Sequence, residues 1–472
     1  MGDFSGLNTA LSGLLAHRRA IDVTGRNIAN VNTEGYSRRE VTLTSLGAHI
    51  PASLFSRNGT GVNGVDVESV SRIRDEFLET RARTELGNQG STSRSAQILG
   101  RVEGTFPEPS NDGIAAQLAA FWGAWDDAAN NPSSIPARTA VLEQANSLAS
   151  TFHKAASDLI DQHNDVATQL SVKVAEANST IASIAELNGQ IRVATVGGGD
   201  PSDLQDQRDV LIDKLTAMVG CAAHPGDDNQ VTVTLGGMDI IKADKTETIT
   251  MTQAGTLPPP LNTLPLNAAS LTWTRGGQPV PSIGGEVGAL LSGANDVIPR
   301  YLHGLDTIAA NVVSSVNALH LTGHGLDTIN DVNLNFFDPT ATTAQSMAVS
   351  TDVAGQPSKL ALAAAAGGAL DATIGHALGA MSASATGPDS VYRSYLGVMG
   401  VESQTMQTRA TTQDTITTSA DTARKSVSGV NLDEEMTQLV ASQRAYQASA
   451  RLMTTIDEML DTLINRTGII GR

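Results

Sequence analysis

Two histidines have the spacing of a helical zinc-binding pair. His320 and His324 are four residues apart, which places both imidazoles on one face of a helix. Gly323 interrupts that helix, no glutamate lies between the histidines, and the single cysteine, Cys221, is distant in the sequence. A zinc-protease helix carries such a glutamate as its general base. We therefore expect no metal site.

A string of carboxylates is the second candidate for chemistry. Asp203, Asp206 and Asp209 are spaced by three residues and follow an Asp-Pro pair that opens a helix. Carboxylates are common in the first turns of helices, where they interact favourably with the helix dipole. Arg208 is close enough to compensate their charge, and no serine elbow or other nucleophile motif accompanies them. We therefore predict no catalytic residue, no cofactor and no enzymatic activity.

A glycine string resembles a dinucleotide-binding motif. Gly59, Gly61 and Gly64 match the pattern G-x-G-x-x-G. That motif needs a helix directly after it, so that the helix N-terminus faces a pyrophosphate. Here the alternating residues 65–67 (VDV) follow, which is a strand pattern. We interpret the glycines as part of a hairpin loop.

Composition restricts the class of protein. The 472 residues include 31 lysines and arginines against 49 aspartates and glutamates, a net charge of −18. An acidic chain is a poor ligand for phosphate backbones, so we expect no nucleic-acid partner. The sequence has no apolar run of the ~20 residues that a membrane span requires. Its N-terminus lacks a basic region followed by an apolar one, so we expect no cleaved secretory signal.

Apolar residues recur at alternating spacings of three and four near both ends of the chain. This heptad period is typical of a helix that packs along a narrow seam against a second helix. An isolated helix of this length is marginal in water, so we predict that residues 1–38 and 430–472 form coiled-coil helices. The expected seam residues are Leu7, Leu11, Leu14, Ile21, Ile28, Leu439, Tyr446, Met453, Leu460 and Ile464.

The middle of the chain changes its period several times. Residues 39–70 alternate with a period of two, which predicts a β-hairpin. A helical period follows and includes a helix of ~60 residues from Pro136, ~90 Å long at 1.5 Å per residue. The predicted fold class is mainly α with a β insertion. The expected domains are the terminal helices, an elongated, rod-like helical bundle (39–220, 284–337 and 386–429), a small β-rich outer insertion (221–283) and a loop-rich segment without an assigned fold (338–385).

The sequence motifs at both ends of the chain resemble those of a known family. Residues 26–38 (RNIANVNTEGYSR) look like the N-terminal signature of the bacterial flagellar axial proteins, the rod, hook and hook-associated family. Residues 428–436 (SGVNLDEEM) and 443–450 (QRAYQASA) resemble that family's C-terminal segment. Internal stretches at 203–209 (DLQDQRD) and 284–291 (GGEVGALL) are similar to the hook-associated members.

The resemblance implies a function and a set of partners. Such proteins are structural adaptors that pair their terminal helices and assemble as a ring at the junction between hook and filament. The implied partners are the hook protein, the second junction protein (hook-associated protein 3) and an export chaperone on the C-terminal segment. The implied location is extracellular, after type III export without a cleaved signal. The ten seam residues are then the expected assembly interface.

Two alternatives remain open from the sequence. The chain could be another flagellar axial protein of the hook type, although the long middle helix and the string at 203–209 argue against it. It could also be a secreted enzyme or adhesin whose active part is residues 221–385.

Overall fold

In the computed structural model of the chain, residues 2–46, 64–327, 331–365, 368 and 370–462 are described. Helices dominate these residues. The helices are α1 (Gly2–Ala29), α2 (Glu76–Gly104), α3 (Ile114–Asn130), α4 (Ile135–Val196), α5 (Ser202–Val219), α6 (Gly285–Ser292), α7 (Ile298–His320), α8 (Thr373–Gly379), α9 (Pro388–Ser428) and α10 (Leu432–Asp461).

The strands form small antiparallel sheets. The first sheet is a hairpin of β1 (Arg39–Leu46) and β2 (Gly64–Arg72). The later strands are β3 (Ala222–Pro225), β4 (Val231–Leu235), β5 (Met238–Lys242), β6 (Lys245–Thr246), β7 (Ile249–Thr256) and β8 (Asn267–Trp273). The second sheet has the order β3-β4-β5-β6, and the third pairs β7 with β8. The predicted fold class, mainly α with a β insertion, is confirmed.

The last glycine of the string lies in the first hairpin. Gly64 begins β2, so a strand and not a helix follows it. Gly59 and Gly61 lie outside the described residues.

Helix α4 is the element against which most of the molecule packs. It has 62 residues, which corresponds to a length of about 90 Å. The Ser134 hydroxyl caps it by accepting a hydrogen bond from the amide of Ala137, and Pro136 occupies the first turn. Helices α3, α5, α6 and α7 all contact it. Its buried apolar side chains include Leu159, Val166, Leu170, Val174, Ile181, Ile184 and Ile191.

Asparagines on α4 hold the β insertion. The Asn188 side chain donates to the carbonyl of Val231 at 2.8 Å and accepts from its amide at 3.1 Å, which extends the strand's own pattern of hydrogen bonds. Asn178 makes the same two contacts with Ile249, at 2.8 and 2.9 Å. A buried polar side chain that satisfies a strand edge in this way fixes both its position and its register.

One cluster of aromatic residues joins α3 to the loop after α7. Phe121 and Trp125 of α3 pack against Phe336, with ring centroids 5.7 and 5.1 Å apart, and Phe337 stands edge-on to Phe336 at 4.8 Å. All four side chains are completely buried. The loop that carries both phenylalanines is therefore part of the hydrophobic core, although its sequence has no regular period.

Two side chains near the end of α7 hold this loop by hydrogen bonds to its backbone. The side-chain oxygen of Asn317 accepts from the backbone amides of Phe336 and Phe337, both at 2.9 Å. His320 Nδ1 donates to the carbonyl of Leu334 at 2.7 Å, and its Nε2 accepts from the amide of Ala361 at 3.0 Å. Both ring nitrogens of His320 are therefore occupied by the backbone.

Neither a metal cluster nor a membrane-spanning helix is present in the part of the chain that the structure describes. Its His, Cys, Asp and Glu side chains form no group of three or more that could hold a metal ion. None of its helices is long and apolar enough to cross a bilayer.

His320 predicts a pH dependence of stability. Burial lowers the pKa of His320 to about 4 from an ordinary value of 6.5, because the charged ring loses its hydration. The neutral ring is also the form that accepts the Ala361 hydrogen bond. A lowered pKa in the folded state means that the stabilisation is complete above pH ~6.5 and is lost as the pH falls towards 4.

We expect His320→Gln to destabilise the protein at pH 7 and to remove part of the decline between pH 6.5 and 4. The measurement is the free energy of urea unfolding across this range. If the free energy of unfolding of the variant fell with pH as steeply as that of the wild type, His320 would not be the source of this pH dependence.

Candidate assembly site at the terminal helix pair

The two ends of the chain pack against each other. Helix α1 lies along α10, and the cap of α10 is Asn431, whose side-chain oxygen accepts from the amide of Asp433 at 3.0 Å. Glu434 and Glu435 join Asp433 in the first turn, where their charge favours the helix dipole. The predicted pairing of the terminal segments is therefore present within one chain.

Small residues form the contact between α1 and α10. A Cβ atom added at Gly13 would lie 3.0 Å from the Ser449 hydroxyl, and one added at Gly6 would lie 3.2 Å from Ile456 Cδ1. Small side chains allow the two helix axes to approach closely. The residues of α1 that are buried against α10 and the hairpin include Ala10, Ala16, Ala20, Val23, Thr24 and Asn27, and the buried residues of α10 are Glu435, Ser442 and Ile456.

The predicted seam residues lie beside this contact. Leu11 is 43% exposed, and Ile464 lies outside the described residues. The heptad pattern selected the face of each helix that carries leucines. Within the chain, the face that becomes buried instead carries alanine, glycine and serine. The half-buried seam residues are Leu7, Leu14, Ile21, Ile28, Leu439, Tyr446, Met453 and Leu460. Their role in assembly remains a prediction.

Asn27 connects the terminal pair to the hairpin. Its side-chain nitrogen, Nδ2, donates to a Glu435 carboxylate oxygen at 3.0 Å and to the Arg39 backbone carbonyl at 2.9 Å. Its side-chain oxygen, Oδ1, accepts from the Tyr36 hydroxyl at 2.9 Å and from the Arg39 backbone amide at 3.1 Å. Four contacts use the whole hydrogen-bonding capacity of a buried asparagine. The signature at 26–38 and the segment at 428–436 therefore meet at this side chain.

Arg38 makes a second connection between the same segments. Its guanidinium forms ion pairs with Glu434 at 2.7 Å and Glu435 at 2.8 Å, and its amide donates to the Ser428 carbonyl at 2.8 Å. The Glu435 side chain is only 3% exposed. A buried carboxylate with both a guanidinium and an amide partner is well satisfied.

The carboxylate string on α5 anchors the hairpin to the helical body. Arg39 forms ion pairs with Asp203 at 2.5 Å and Asp206 at 3.0 Å. Arg72, at the other end of the hairpin, contacts Asp206 at 2.9 Å and Asp209 at 2.7 Å. Asp206 and Asp209 are buried, so their role exceeds the dipole interaction that the sequence predicts. Arg208 does lie 3.6 Å from Asp209, as expected, and arginines distant in sequence make the shorter contacts.

Further arginines extend this ion network to α2 and α9. Arg74 contacts Asp209 at 2.6 Å, and Arg83 of α2 and Arg424 of α9 contact Asp213 at 2.8 and 2.6 Å. Burial by itself would raise the pKa of Asp209. The guanidiniums of Arg74 and Arg72 outweigh burial and hold this pKa at about 2. The charged form of Asp209 is therefore strongly stabilised in the folded state.

Sequence reasoning missed Asn27, Glu435 and the arginines of this network. A signal exists in retrospect, because arginine pairs flank the hairpin at 38–39 and at 72 and 74. Gly35 is a further case. It has φ +77°, and a Cβ there would lie 2.1 Å from Val210 Cγ2 on α5, so only glycine fits between the signature loop and the body.

We predict that Asn27→Ala loosens the terminal pair from the body. The variant leaves the Tyr36 hydroxyl and the two Arg39 backbone groups without Asn27 as a partner, at roughly 1–3 kcal/mol for each unsatisfied group. Glu435 keeps its ion pair with Arg38 but loses its amide partner. We expect faster hydrogen exchange in α1 and α10 and unchanged exchange in α4. Asn30→Ala, at an exposed position of the same signature, is the matched control. Equal exchange rates in the two variants would contradict the role of Asn27.

We predict that Asp209→Asn destabilises the protein by roughly 3–5 kcal/mol at pH 7, because it leaves buried arginines without their shared counter-ion. The contribution of Asp209 is complete above pH ~4, where the unfolded carboxyl is ionised, and is lost as the pH falls towards 2. The matched control is Asp203→Asn, whose side chain is 73% exposed and should cost about 0–1 kcal/mol. Denaturant unfolding measures both, and equal losses would refute the prediction.

Comparisons with known proteins match three parts of the chain to flagellar families. Residues 99–337 match the family described as flagellar hook-associated protein FlgK helical domain. Residues 7–36 match flagella basal body rod protein, and residues 426–466 match the C-terminal part of flagellar basal body rod FlgEFG protein. These two outer matches include the segments that meet at Asn27.

Similar proteins cover nearly the whole chain. It is 29% identical over 511 residues to flagellar hook-associated protein 1 of Bacillus subtilis, which covers 99% of both chains. It is 24% identical over 555 residues to that of Escherichia coli, with 97% of this chain and 99% of the relative covered.

A solved structure shares the fold. The flagellar hook junction protein FlgK from Burkholderia pseudomallei aligns with a TM-score of 0.63 at 14% identity, and covers 74% of this chain and 100% of that chain. The match at 99–337 spans half of the sequence. The chain therefore belongs to the flagellar hook-associated protein FlgK family, the structural proteins of the junction between hook and filament.

Proposed function

We propose that this chain is a structural adaptor that assembles with copies of itself into a ring between hook and filament. One observation carries the proposal. After α1 and α10 have packed together, apolar side chains on their other faces stay uncovered. These are Leu11 (43% exposed) and Leu15 (54%) on α1, and Leu432 (45%), Met436 (50%), Val440 (41%), Leu452 (47%) and Met459 (53%) on α10.

Uncovered apolar stripes of this kind favour association. Contiguous exposed apolar surface is unfavourable in water and marks interaction sites. A contact is heterologous when one face of the terminal helix pair packs on a different face of the pair in the neighbouring subunit. Such contacts close into a ring when the rotation between successive subunits brings the last one back to the first. The half-buried seam residues, from Leu7 to Leu460, border the stripes and become fully covered in such a contact.

The proposal includes partners and a location. We infer axial contacts with the hook protein on one side of the ring and with the second junction protein on the other. We also infer an export chaperone that covers the C-terminal stripe before assembly, and an extracellular position after type III export without a cleaved signal. The family membership supports these assignments, as does the apolar stripe on α10. The role is structural and not enzymatic.

Substitutions in the exposed stripes test assembly without disturbing the folded monomer. We expect Leu11→Asp and Leu452→Asp to leave the monomer's melting temperature within about 2 °C of wild type, because exposed positions contribute little to stability. Both should prevent stable attachment of filaments to hooks, so that motility is lost and filament protein is shed into the medium.

The matched control is Val193→Asp, which is 71% exposed and belongs to α4 and not to either terminal helix. It should retain motility. Motile cells carrying either leucine variant would refute the assembly role of the stripes.

A further inference from the structure

A cavity lined by arginines lies on the side of the ion network that faces the β insertion. Its volume is about 270 Å³, and its walls come from the end of β2, the start of α2, helix α5 and the residues between β3 and β4. The arginines in its wall are Arg72, Arg74, Arg83 and Arg208, and the acidic residues are Glu76, Glu79 and Asp209.

Arg208 is a buried cation that forms no hydrogen bond to a carboxylate among the described residues and only a long ion pair, 3.6 Å, to Asp209. Its side chain is 3% exposed. Its Nη1 donates to two neutral acceptors, the Asn188 side chain at 3.2 Å and the Asn229 carbonyl at 2.7 Å. Its Nε has no hydrogen-bond partner in the part of the chain that the structure describes. Buried charges are normally paired and hydrogen-bonded, so this arrangement is incomplete.

Asp209 does not supply the missing partner. It lies 3.6 Å from Arg208 Nη2, beyond hydrogen-bond distance, and its Oδ2 already accepts from Arg72 and Arg74 at 2.7 and 2.6 Å. Arg83 Nη2 likewise has no hydrogen-bond partner among the described residues. It forms only long ion pairs, at 3.6 Å to Asp209 and 3.8 Å to Glu79.

The balance of charge around Arg208 disfavours its charged form. Burial lowers the pKa of Arg208 to about 10, and Asp209 opposes this effect only in part, because Arg72, Arg83 and Arg74 repel the charge. A negative group in the cavity would relieve both the desolvation and the repulsion.

We propose that this cavity binds a small oxyanion, a phosphate or a carboxylate, through Arg208 and the neighbouring guanidiniums. Planar guanidinium groups match the paired oxygens of these anions and bind them with charge-assisted hydrogen bonds. The free donors, Arg208 Nε and Arg83 Nη2, are the groups that such an anion satisfies. This site does not depend on the proposed assembly.

Thermal unfolding of the full chain tests the site with sodium phosphate, sodium acetate and sodium chloride at matched ionic strength. An anion that binds only the folded state raises the melting temperature in a saturable way. We expect this rise with phosphate, and with acetate as well if the natural ligand is an acidic side chain of a neighbouring protein, but not with chloride. Arg208→Met should weaken the response at least about tenfold. Arg275→Gln, whose side chain is 78% exposed outside the cavity, should respond like wild type.

A second variant keeps the test decisive if Arg208→Met does not fold. Gln205 is buried and lines the cavity, so Gln205→Glu adds a carboxylate of the same shape next to the arginines. We expect it to raise the melting temperature in the absence of phosphate and to abolish the phosphate response. Equal responses of the wild type to phosphate, acetate and chloride would overturn the proposal, as would a full phosphate response in Gln205→Glu.

Discussion

The shared carboxylates of Asp206 and Asp209 are the interaction on which the arrangement of this molecule depends. They bind arginines from both ends of the hairpin, and the same network continues to α2 and α9 through Asp213. Displacement of the hairpin would separate the buried Arg39 and Arg72 side chains from these carboxylates, which is strongly unfavourable. The hairpin therefore has one position on the body, and that position places Arg39 where Asn27 can bind it.

The terminal pair depends on this anchor because its own contact is modest. Alanine, glycine and serine bring α1 and α10 close together but bury little apolar area, and the hydrophobic contribution scales with that area. Polar groups at one end of the pair, above all Asn27 and Glu435, therefore carry much of the specificity. The larger leucines and methionines remain on the outer faces. A single chain thus presents apolar side chains on the outer faces of the terminal pair, as the proposed assembly requires.

The same use of polar side chains recurs in the body. Asn188 and Asn178 hold the strands of the insertion, and Asn317 and His320 hold the loop with the phenylalanines. Each side chain satisfies backbone groups that would otherwise be buried without a partner. Irregular segments and small sheets are thereby fixed on long helices in a chain with only 3% aromatic residues.

Periodicity in the sequence was enough to predict the terminal helices, the hairpin, the 62-residue helix α4 and the β insertion, because each pattern is local. It was also enough to identify heptad stripes on both terminal segments. Only the tertiary structure decided which face of α1 meets α10, since a helix with two apolar faces has no local feature that selects the covered one. Only the tertiary structure paired Arg72 with Asp209, 137 residues away, because the partner of a charge is a property of the folded chain and not of its neighbours in sequence.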